Sequence, residues 1–362
     1  MKAAIITAFD PYLFKGGIER YVLHMMDLLK SKGIGVDIYH TGLIDNDLGF
    51  HNPLLGKMYV LGREFYKVDR NYDFIISNSF YGLGYFPPRV KAFNIYHSSH
   101  VAFDKSVEGV ISHVTSLEWT YLCGYLGEMA SGFNRTKIAV SNTVKEELGR
   151  YYGFHDVKVV ESGVDIDLFK EIDDKEGLRE KYSIPKDAFV GLFVGRWDRT
   201  KGSDIIERVV ERTPDVLWLL VLGSGSGICH LRSMKNVFIL DEVPFENMPE
   251  IYSLSDFVYL PSRYEGFGLV ILEAMACGIP VFAGEIGIAK KIYEHEPFSQ
   301  LRLFDFPIHE QDLIDQSVKK IYSLKQDNKW KRHISKEGRK LVEEEYNMNI
   351  WRKKMLRALD LA

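Results

Sequence analysis

Two glutamates in one short stretch could act on the same ligand. The segment RYEGFGLVILEAMACGIPV, residues 263–281, places Glu265 in a glycine-rich turn and Glu273 eight residues later. If a helix separates them, they lie roughly 12 Å apart at 1.5 Å per residue. Hydrolases that use two carboxylates hold them within about 5–9.5 Å of each other, so this spacing favours a binding role for an extended ligand. Taken singly, Glu265 could be a solvated turn acid and Glu273 an ordinary helix acid.

The turn around Glu265 has the pattern of an anion site. It follows the apolar run FVYLPS, residues 257–262, and precedes a helix that should begin near Gly268 and stop at Gly278. The first amides of a helix lack intrahelical partners, and glycines let a phosphate approach the backbone. The sequence therefore predicts that an anionic group binds at the start of this helix.

A second glycine-bounded loop carries two cations. VGRWDRTKG, residues 194–202, places Arg196 and Lys201 between Gly195 and Gly202 after another apolar run. A guanidinium fork and an ammonium point charge suit a diphosphate. Surface loops often hold such residues, so the loop is a weak signal when taken alone.

Two further glycine-rich turns occur. Gly16 and Gly17 precede a helix that should begin near Ile18, and the same anion argument applies to it. The pattern is not G-x-G-x-x-G, so the dinucleotide fingerprint fails here. GSGSG, residues 223–227, has no clear long helix after it and could be a simple loop.

Short apolar runs alternate with helix-compatible stretches along the whole chain. Runs without polar alternation indicate strands buried on both faces, and strand–helix alternation predicts parallel sheets with right-handed crossovers. The expected strands are residues 3–7, 36–40, 73–78, 93–97, 137–141 and 158–162 in the first half, and residues 189–195, 216–223, 237–240, 257–262 and 279–284 in the second.

The order of these elements predicts an α/β protein with two doubly wound, Rossmann-like domains. We expect an N-terminal domain over residues 1–165 and a C-terminal domain over residues 166–345, with the boundary in the charged stretch near 163–175. Residues 346–362 should form a final helix that packs back on the first domain. In open parallel sheets, ligands bind at the carboxyl ends of the strands, so the two domains should face each other across a cleft.

Composition limits the class of protein. The chain has 362 residues, of which 46% are apolar and 27% charged, and its net charge is −4. This balance argues against disorder and against a general attraction to nucleic acid. Cys123, Cys229 and Cys277 are few and far apart, which predicts a reducing compartment without a disulfide frame or zinc site. No run approaches a signal peptide or the roughly 20 apolar residues of a membrane span, so we expect a cytoplasmic protein.

Several motifs together resemble a known family. EGFGLVILE (265–273) resembles the E-x7-E motif of the retaining GT-B glycosyltransferases of family 4, and GRWDRTKG (195–202) resembles that family's G-R-x-x-x-x-K-G loop. ESGVDIDLF (161–169) resembles its N-G-V-D-x-x-x-F segment, with Ser162 where asparagine is common. VSNTVKEEL (140–148) resembles its V-S-x-x-V-x-x-x-L segment. The resemblance runs from Gly16 to Pro280, with the motifs in the family's order.

The resemblance implies roles for residues of the second half. Glu265 matches a glutamate beside the donor sugar, and Glu273 matches one that binds the ribose hydroxyls. Arg196 and Lys201, on the loop that starts at Gly195, match the pair that clamps the donor diphosphate. The loop whose amides meet the sugar and diphosphate is matched by Gly266, Phe267, Gly268 and Leu269.

In the first half, Gly16 and Gly17 match a glycine turn near the donor phosphates. His97, in NIYHSSH, matches a histidine near the reacting carbon and the acceptor, although His100 is a close neighbour. A histidine that merely caps a strand end is the alternative for His97. Ser162 and the stretch after the glycine turn depart from the family pattern and affect what can be said about the acceptor.

The reaction that the resemblance implies is sugar transfer from a nucleotide diphosphate sugar with retention at the anomeric carbon. Positive side chains and amides would stabilise the leaving diphosphate, so no metal and no cofactor are expected. Two acidic pairs could suggest a metal instead. They fall in a loop and in the linker, where solvated turn acids are common, and they are Asp45 with Asp47 and Asp165 with Asp167.

Other functions remain open. A nucleotide-sugar epimerase or a phosphorylase could share this architecture, although nothing marks a lysine for the phosphorylase's pyridoxal phosphate. A non-catalytic subunit is disfavoured by the intact motif residues, and an NAD dehydrogenase by the missing fingerprint.

The expected partners are a nucleotide-sugar donor, UDP- or GDP-linked, and a glycan, small-molecule or lipid-linked acceptor, with a role in cell-envelope polysaccharide or glycolipid synthesis. Nucleic acid is not expected, and the oligomeric state is not predicted. Aromatic and basic residues could meet a lipid-linked acceptor at the inner face of the cell membrane. They are Tyr59, Arg63, Phe65, Tyr66, Lys67 and Arg70. A helix packed by its own aromatics is the competing interpretation.

Overall fold

The structure is a computed structural model that describes residues 1–14, 16–44, 53–223, 230–241, 243–303 and 310–362. Its chain divides into two compact units. The first unit is Met1–Glu161 together with Arg352–Ala362, and the second is Ser162–Trp351.

The first unit is built on parallel strands. They are β1 (Lys2–Ile6), β2 (Gly35–Tyr39), β3 (Phe74–Asn78), β4 (Lys91–Tyr96), β5 (Thr136–Ala139) and β6 (Val157–Val159). Their order in the sheet is β2-β1-β3-β4-β5-β6. Every residue of β3 is buried, as expected of a strand covered on both faces.

Helices follow the strands of the first unit. They are α1 (Gly17–Ser31), α2 (Pro53–Phe65), α3 (His100–Ser106), α4 (His113–Leu117), α5 (Met129–Gly132) and α6 (Asn142–Tyr152), with a π-helical segment, Glu118–Glu128, between α4 and α5. Ser99 caps α3 and Ser141 caps α6, each accepting a hydrogen bond from an amide in the first turn. Gly153 ends α6 in the left-handed conformation at φ 70°.

The second unit repeats the plan with a smaller sheet. Its strands are β7 (Val190–Gly195), β8 (Leu217–Leu222), β9 (Val237–Asp241), β10 (Phe257–Leu260) and β11 (Val281–Ala283). They are parallel and lie in the order β11-β10-β7-β8-β9. The helices are α7 (Lys175–Lys181), α8 (Ser203–Glu211), α9 (Met248–Leu254), α10 (Leu269–Ala276), α11 (Gly287–Ile292), α12 (Glu310–Gln326) and α13 (Asn328–Glu345).

Each predicted strand is present within the described residues, and the α/β class with two doubly wound parallel sheets is confirmed. The last strand of the first unit is shorter than predicted, because pairing with β5 ends at Val159. The helix expected near Ile18 begins at Gly17, and the helix expected near Gly268 begins at Leu269.

The end of the chain forms α14 (Met348–Ala358). Trp351, Met355 and Leu359, which stand at helical spacings, are buried. Beyond the helix, Asp360 pairs with Lys91 and with Lys158 of the first unit, at 2.9 and 3.3 Å. The last eleven residues therefore belong to the first unit's fold.

Arg339 of α13 organises the start of the second unit. Its guanidinium donates to the carbonyls of Ile166 and Phe169 and to the carbonyl of Ala276 at the end of α10. A helix end leaves carbonyls without intrahelical partners, and Arg339 supplies one. The segment that resembled the family's N-G-V-D pattern is thereby fixed to the helix that carries Glu273.

Candidate functional site

The loop after β7 is shaped by Asp198 and Gly202. Asp198 Oδ1 accepts from the amides of Thr200 and Lys201 at 2.9 and 3.2 Å, which forms a short 3₁₀ turn at Arg199–Lys201. Gly202 has φ +80°, and a Cβ there would lie 2.4 Å from the carbonyl oxygen of Pro261. Only glycine allows this loop to lie so close to the end of β10.

A bidentate ion pair ties this loop to the turn after β10. The guanidinium of Arg263 donates to both carboxylate oxygens of Asp204, each at 2.8 Å, while the Arg263 amide donates to the carbonyl of Thr200. Burial raises the pKa of Asp204, but the hydrogen bonds and charge of Arg263, with help from Arg199, outweigh it and leave the pKa below its usual value. The two loops therefore behave as one rigid surface.

The structure brings Lys201 and Glu265 together. The Lys201 ammonium lies 2.7 Å from Glu265 Oε1, and the two side chains are 24% and 16% exposed. Arg196 pairs instead with Asp198, with 3.1 Å between Nε and Oδ2. Each of the two cations predicted to clamp a diphosphate thus has an acidic partner in this structure, and a phosphate that binds here must exchange with those acids.

The turn from Glu265 to Leu269 is fixed by its contacts with the start of α11. Phe267 is buried, and its carbonyl accepts from the Ile288 amide at 2.7 Å. A Cβ at Gly287 would lie 2.2 Å from that oxygen, so the segment that packs against this turn needs glycine at position 287. Gly268, at φ +90°, turns the chain into α10. The amides that begin α10 therefore lie at the position where the sequence predicts that an anion binds.

Glu273 is not the solvated helix acid that one interpretation allowed. It is 4% exposed and accepts a hydrogen bond of 2.9 Å from the hydroxyl of Tyr252, which is itself fully buried. Burying a carboxylate without strong partners costs free energy. A buried acid held in one orientation within the second turn of α10 fits a ligand-binding role.

In the first unit, Gly16 and Gly17 lie at the start of α1. A Cβ at Gly17 would meet no atom within 4 Å, so space is open beside it. A Cβ at Gly16 would lie 2.1 Å from a carboxylate oxygen of Glu19, which is 7% exposed. Burial raises the pKa of Glu19, although its own backbone hydrogen bond opposes that shift. This acid in the first turn was not identified from the sequence.

His97 lies just after β4 and is half-buried. Its Nε2 is 2.8 Å from Oδ1 of Asn78, and its ring meets the ring of Tyr21 edge-on at 4.8 Å. Burial lowers the pKa of His97 to about 4. The imidazole is therefore neutral near pH 7, and donation from Nε2 to Asn78 leaves Nδ1 as a hydrogen-bond acceptor.

The neighbouring His100 has a different environment. Its Nδ1 is 2.9 Å from Oε1 of Glu128, and its backbone amide donates to Oε2 of the same carboxylate at 3.0 Å. Glu128 is fully buried and also accepts from the Tyr152 hydroxyl. This acid stands 28 residues from His100 in sequence, and no motif pointed to it.

Other residues that shape the site also escaped sequence reasoning. Arg263 and Asp204 form a pair across two loops, and no spacing rule links them. Tyr252 precedes the motif region and resembles a core aromatic. Asn78 is the last residue of β3, the neighbour of β4 in the sheet. Its contact with His97 could have been predicted only if the strand order had been known.

Among the described residues, no three His, Cys, Asp or Glu side chains are grouped as metal ligands. Asp165 accepts from the amides of Asp167 and Leu168, as an acid does in a turn. Asp45, Asp47 and residues 224–227 of the GSGSG stretch lie outside the described residues. No described helix is long and apolar enough to cross a membrane.

Comparison with known proteins identifies the family. The model described as Glycosyltransferase Family 4 matches residues 15–168, and the model described as Glycosyl transferases group 1 matches residues 174–341. The chain belongs to the family 4 glycosyltransferases, and its fold is GT-B.

Individual relatives and structures agree with this assignment. The D-inositol 3-phosphate glycosyltransferase of Mycobacteroides abscessus is 35% identical over 159 residues, which are 40% of this chain and 36% of that protein. The match thus spans little more than a third of that relative's length. Sucrose-phosphate synthase from Thermosynechococcus elongatus has a TM-score of 0.77 at 23% identity, covering 99% of this chain and 98% of that one. Anabaena Alr3699/HepE in complex with UDP-glucose has a TM-score of 0.71 at 20% identity, with both chains fully covered.

His97 should stay neutral over the working pH range. Because burial lowers its pKa to about 4, its NMR ring-proton shift should remain constant from about pH 8 to about pH 5, whereas an exposed histidine titrates near 6.5. In the unfolded chain the His97 imidazole takes up a proton near pH 6.5, whereas in the folded chain it does so only near pH 4. The free energy of unfolding therefore decreases as the pH falls from about 6.5 to about 4. The His97→Gln spectrum assigns the signal, and a midpoint near 6.5 would show that the ring is solvated.

Proposed function

We propose that this protein is a retaining glycosyltransferase that moves a sugar from a UDP- or GDP-sugar to a glycan, lipid-linked or small-molecule acceptor. The observation that carries the proposal is the half-buried Lys201–Glu265 pair, which lies beside the start of α10. The same helix carries the buried Glu273. Cations, free helix amides and an oriented carboxylate are the groups needed to hold a diphosphate next to a sugar and a ribose.

The family supports a nucleotide-sugar donor. The structure of HepE with the same fold was determined in complex with UDP-glucose. Under this proposal the synthesis of cell-envelope polysaccharide or glycolipid is the setting, in the cytoplasm or at the inner face of the cell membrane. Among the described residues, Cys123 and Cys277 are buried and form no disulfide, which suits a reducing compartment.

The donor's diphosphate would replace the acidic partners of Lys201 and Arg196. As the bond between the anomeric carbon and the phosphate oxygen breaks, negative charge grows on the leaving diphosphate. Lys201, Arg196 and the amide at Gly268 would stabilise that charge. The family resemblance assigns the same part to the amide at Gly17. These positive groups take the part that a metal plays in other transferases, so we propose that no metal or cofactor is required.

Retention would follow from attack on the same face of the sugar. The acceptor oxygen bonds to the anomeric carbon on the side from which the diphosphate leaves, and the acceptor proton passes to an oxygen of the leaving phosphate. Glu265, released by Lys201, would accept hydrogen bonds from the sugar hydroxyls. Neutral His97 would orient the sugar or the acceptor through Nδ1 without supplying a proton at neutral pH.

The experiment that tests the activity uses a panel of nucleotide sugars in buffer that contains EDTA, with products identified by mass spectrometry. Lys201→Ala should lower kcat on the order of a hundredfold, because the ammonium stabilises charge that develops in the transition state. Lys186→Ala removes a lysine from an exposed ion pair in the same unit and should leave kcat unchanged.

Three outcomes would contradict the proposal. Full activity of folded Lys201→Ala would place the diphosphate elsewhere. Loss of activity in EDTA with rescue by magnesium would show that a metal is needed. A sugar altered while still attached to its nucleotide, without transfer, would identify an epimerase.

Glu273 should contribute to nucleotide binding. Glu273→Gln keeps the shape and the Tyr252 contact but removes the charge that receives the ribose hydroxyls. The affinity for UDP or GDP should fall by about 1–3 kcal/mol, the range for a hydrogen bond to a charged group. Calorimetric titration measures it, with Glu344→Gln on the exposed side of α13 as the control. Unchanged affinity in Glu273→Gln would remove Glu273 from the site.

A further inference from the structure

The helical segment between β4 and β5 is packed by its small residues. α4, the π-helical segment and α5 follow one another without a break over residues 113–132. A Cβ at Gly124 would lie 2.6 Å from Val101, one at Gly127 2.8 Å from Phe80, and one at Gly132 2.3 Å from the Tyr96 hydroxyl. Glycines therefore let this segment lie directly on the first unit's interior.

Five of the segment's large apolar side chains, and that of Phe133 just after it, are exposed, whereas Leu122 and Trp119 pack inward. We call the exposed side chains the apolar ridge, and its members are Leu117, Tyr121, Tyr125, Leu126, Met129 and Phe133, exposed by 45%, 59%, 36%, 54%, 37% and 52%. Phe86, 40% exposed, lies against Phe133 with 5.2 Å between ring centroids. Surface helices of globular proteins usually expose polar residues on the side away from the core, so an exposed side made of large apolar residues is unusual.

The π-helical segment makes the ridge straight. Five of its members stand four residues apart, at positions 117, 121, 125, 129 and 133. In an α-helix with 3.6 residues per turn, each such step drifts by roughly 40° around the axis. The wider π turn, closed by i→i+5 hydrogen bonds, offsets that drift. Because all five residues are exposed, the helix geometry and the spacing place them on the same side of the segment.

The ridge is large for an exposed surface. Among the described residues, the large apolar side chains that are exposed all lie between Met1 and Phe133. Each half-exposed ring or aliphatic chain presents on the order of 100 Å², so the ridge with Phe86 presents roughly 700 Å². That is more than the largest apolar patch on a typical monomer, about 300–600 Å². It approaches the roughly 800 Å² that each partner contributes to a stable protein interface.

Charge distinguishes the kinds of partner. The sequence has no Lys or Arg between Lys105 and Arg135. Helices that lie on membranes carry such cations beside their apolar face and use them to attract anionic lipids. The cores of protein interfaces are instead depleted of charge and enriched in Tyr, Phe and Met. The composition of the ridge therefore matches a protein partner.

We propose that the apolar ridge is the contact through which two copies of this chain form a symmetric dimer. An uncharged ridge can face its own copy without like-charge repulsion, which a two-fold contact requires. The two ridges run antiparallel, because a parallel arrangement would place Glu118 beside Glu118 of the copy. Tyr125, the middle of the five aligned residues, then lies at the two-fold axis, and Leu117 lies opposite Phe133 of the copy. This inference does not depend on the proposed activity.

Sedimentation of the full chain from about 1 to 100 µM tests the dimer. The parent protein should be dimeric at the upper concentrations. Tyr121→Glu with Tyr125→Glu should raise the dissociation constant at least tenfold. The matched control, Tyr12→Glu with Leu13→Glu, adds the same charge to another exposed apolar loop of the unit and should leave the dimer intact. Circular dichroism compares the folding of the variants.

A disulfide test holds even if the charged variant fails to fold. In a chain with Cys229→Ser, Tyr125→Cys should form a covalent dimer under mild oxidation, whereas Leu117→Cys alone should not. Mixing Leu117→Cys with Phe133→Cys should give the heterodimer. Cys123 and Cys277 are buried and should stay unreacted.

Three results would overturn the inference. A parent chain that is monomeric at every concentration, or a dimer that both charge variants retain, would show that the ridge is not a dimer contact. A monomer that binds phosphatidylcholine vesicles through the ridge would assign this surface to lipid. Efficient self-crosslinking of Leu117→Cys would contradict the antiparallel arrangement.

Discussion

The ion pair between Lys201 and Glu265 is the contact on which the geometry of the second unit's site depends. Its residues come from loops that follow β7 and β10, which are neighbours in the sheet, so their carboxyl ends open at the same edge. When an ammonium and a carboxylate are partly buried, each loses hydration, and their mutual attraction offsets part of that cost. The pair holds both side chains beside the start of α10, where helix amides favour an anion. Under the proposed function, the donor's diphosphate would take the place of the carboxylate.

The surrounding contacts fix the backbone around Lys201 and Glu265. Gly202 lets one loop lie against Pro261, Arg263 joins the two loops through Asp204, and Asp198 fixes the turn that carries Lys201. A ligand that displaces Glu265 therefore need not move the backbone. In the first unit, neighbouring strands β3 and β4 likewise bring Asn78 to His97, which orients the ring, while burial lowers the pKa of His97 and keeps it neutral. Rigid strands fix the positions, and short loops carry the chemistry.

Much of this arrangement could be predicted from the chain alone. Uninterrupted apolar runs indicated the strands, and the glycine turns at residues 195–202 and 265–268 indicated the loops that carry the candidate site. The pairing of Lys201 with Glu265 could not be predicted, because it depends on β7 lying beside β10, and strand order is not written in local sequence. The roles of Tyr252 and Glu128 could not be predicted for a related reason. Each acts through a buried hydrogen bond across a long sequence separation, and neither has a spacing that distinguishes it from a core residue.

The central claim is that Glu265 occupies the place of the donor's diphosphate on Lys201 until the donor binds. Calorimetric titration of Glu265→Gln with UDP and with GDP tests it most directly. Because the ammonium no longer has to leave a carboxylate, the preferred nucleotide should bind more tightly than to the parent, by a factor of up to about ten, which is about 1.4 kcal/mol. Glu250→Gln, which breaks the Lys181–Glu250 pair elsewhere in the unit, should bind like the parent. Weaker or unchanged binding in Glu265→Gln would contradict the account.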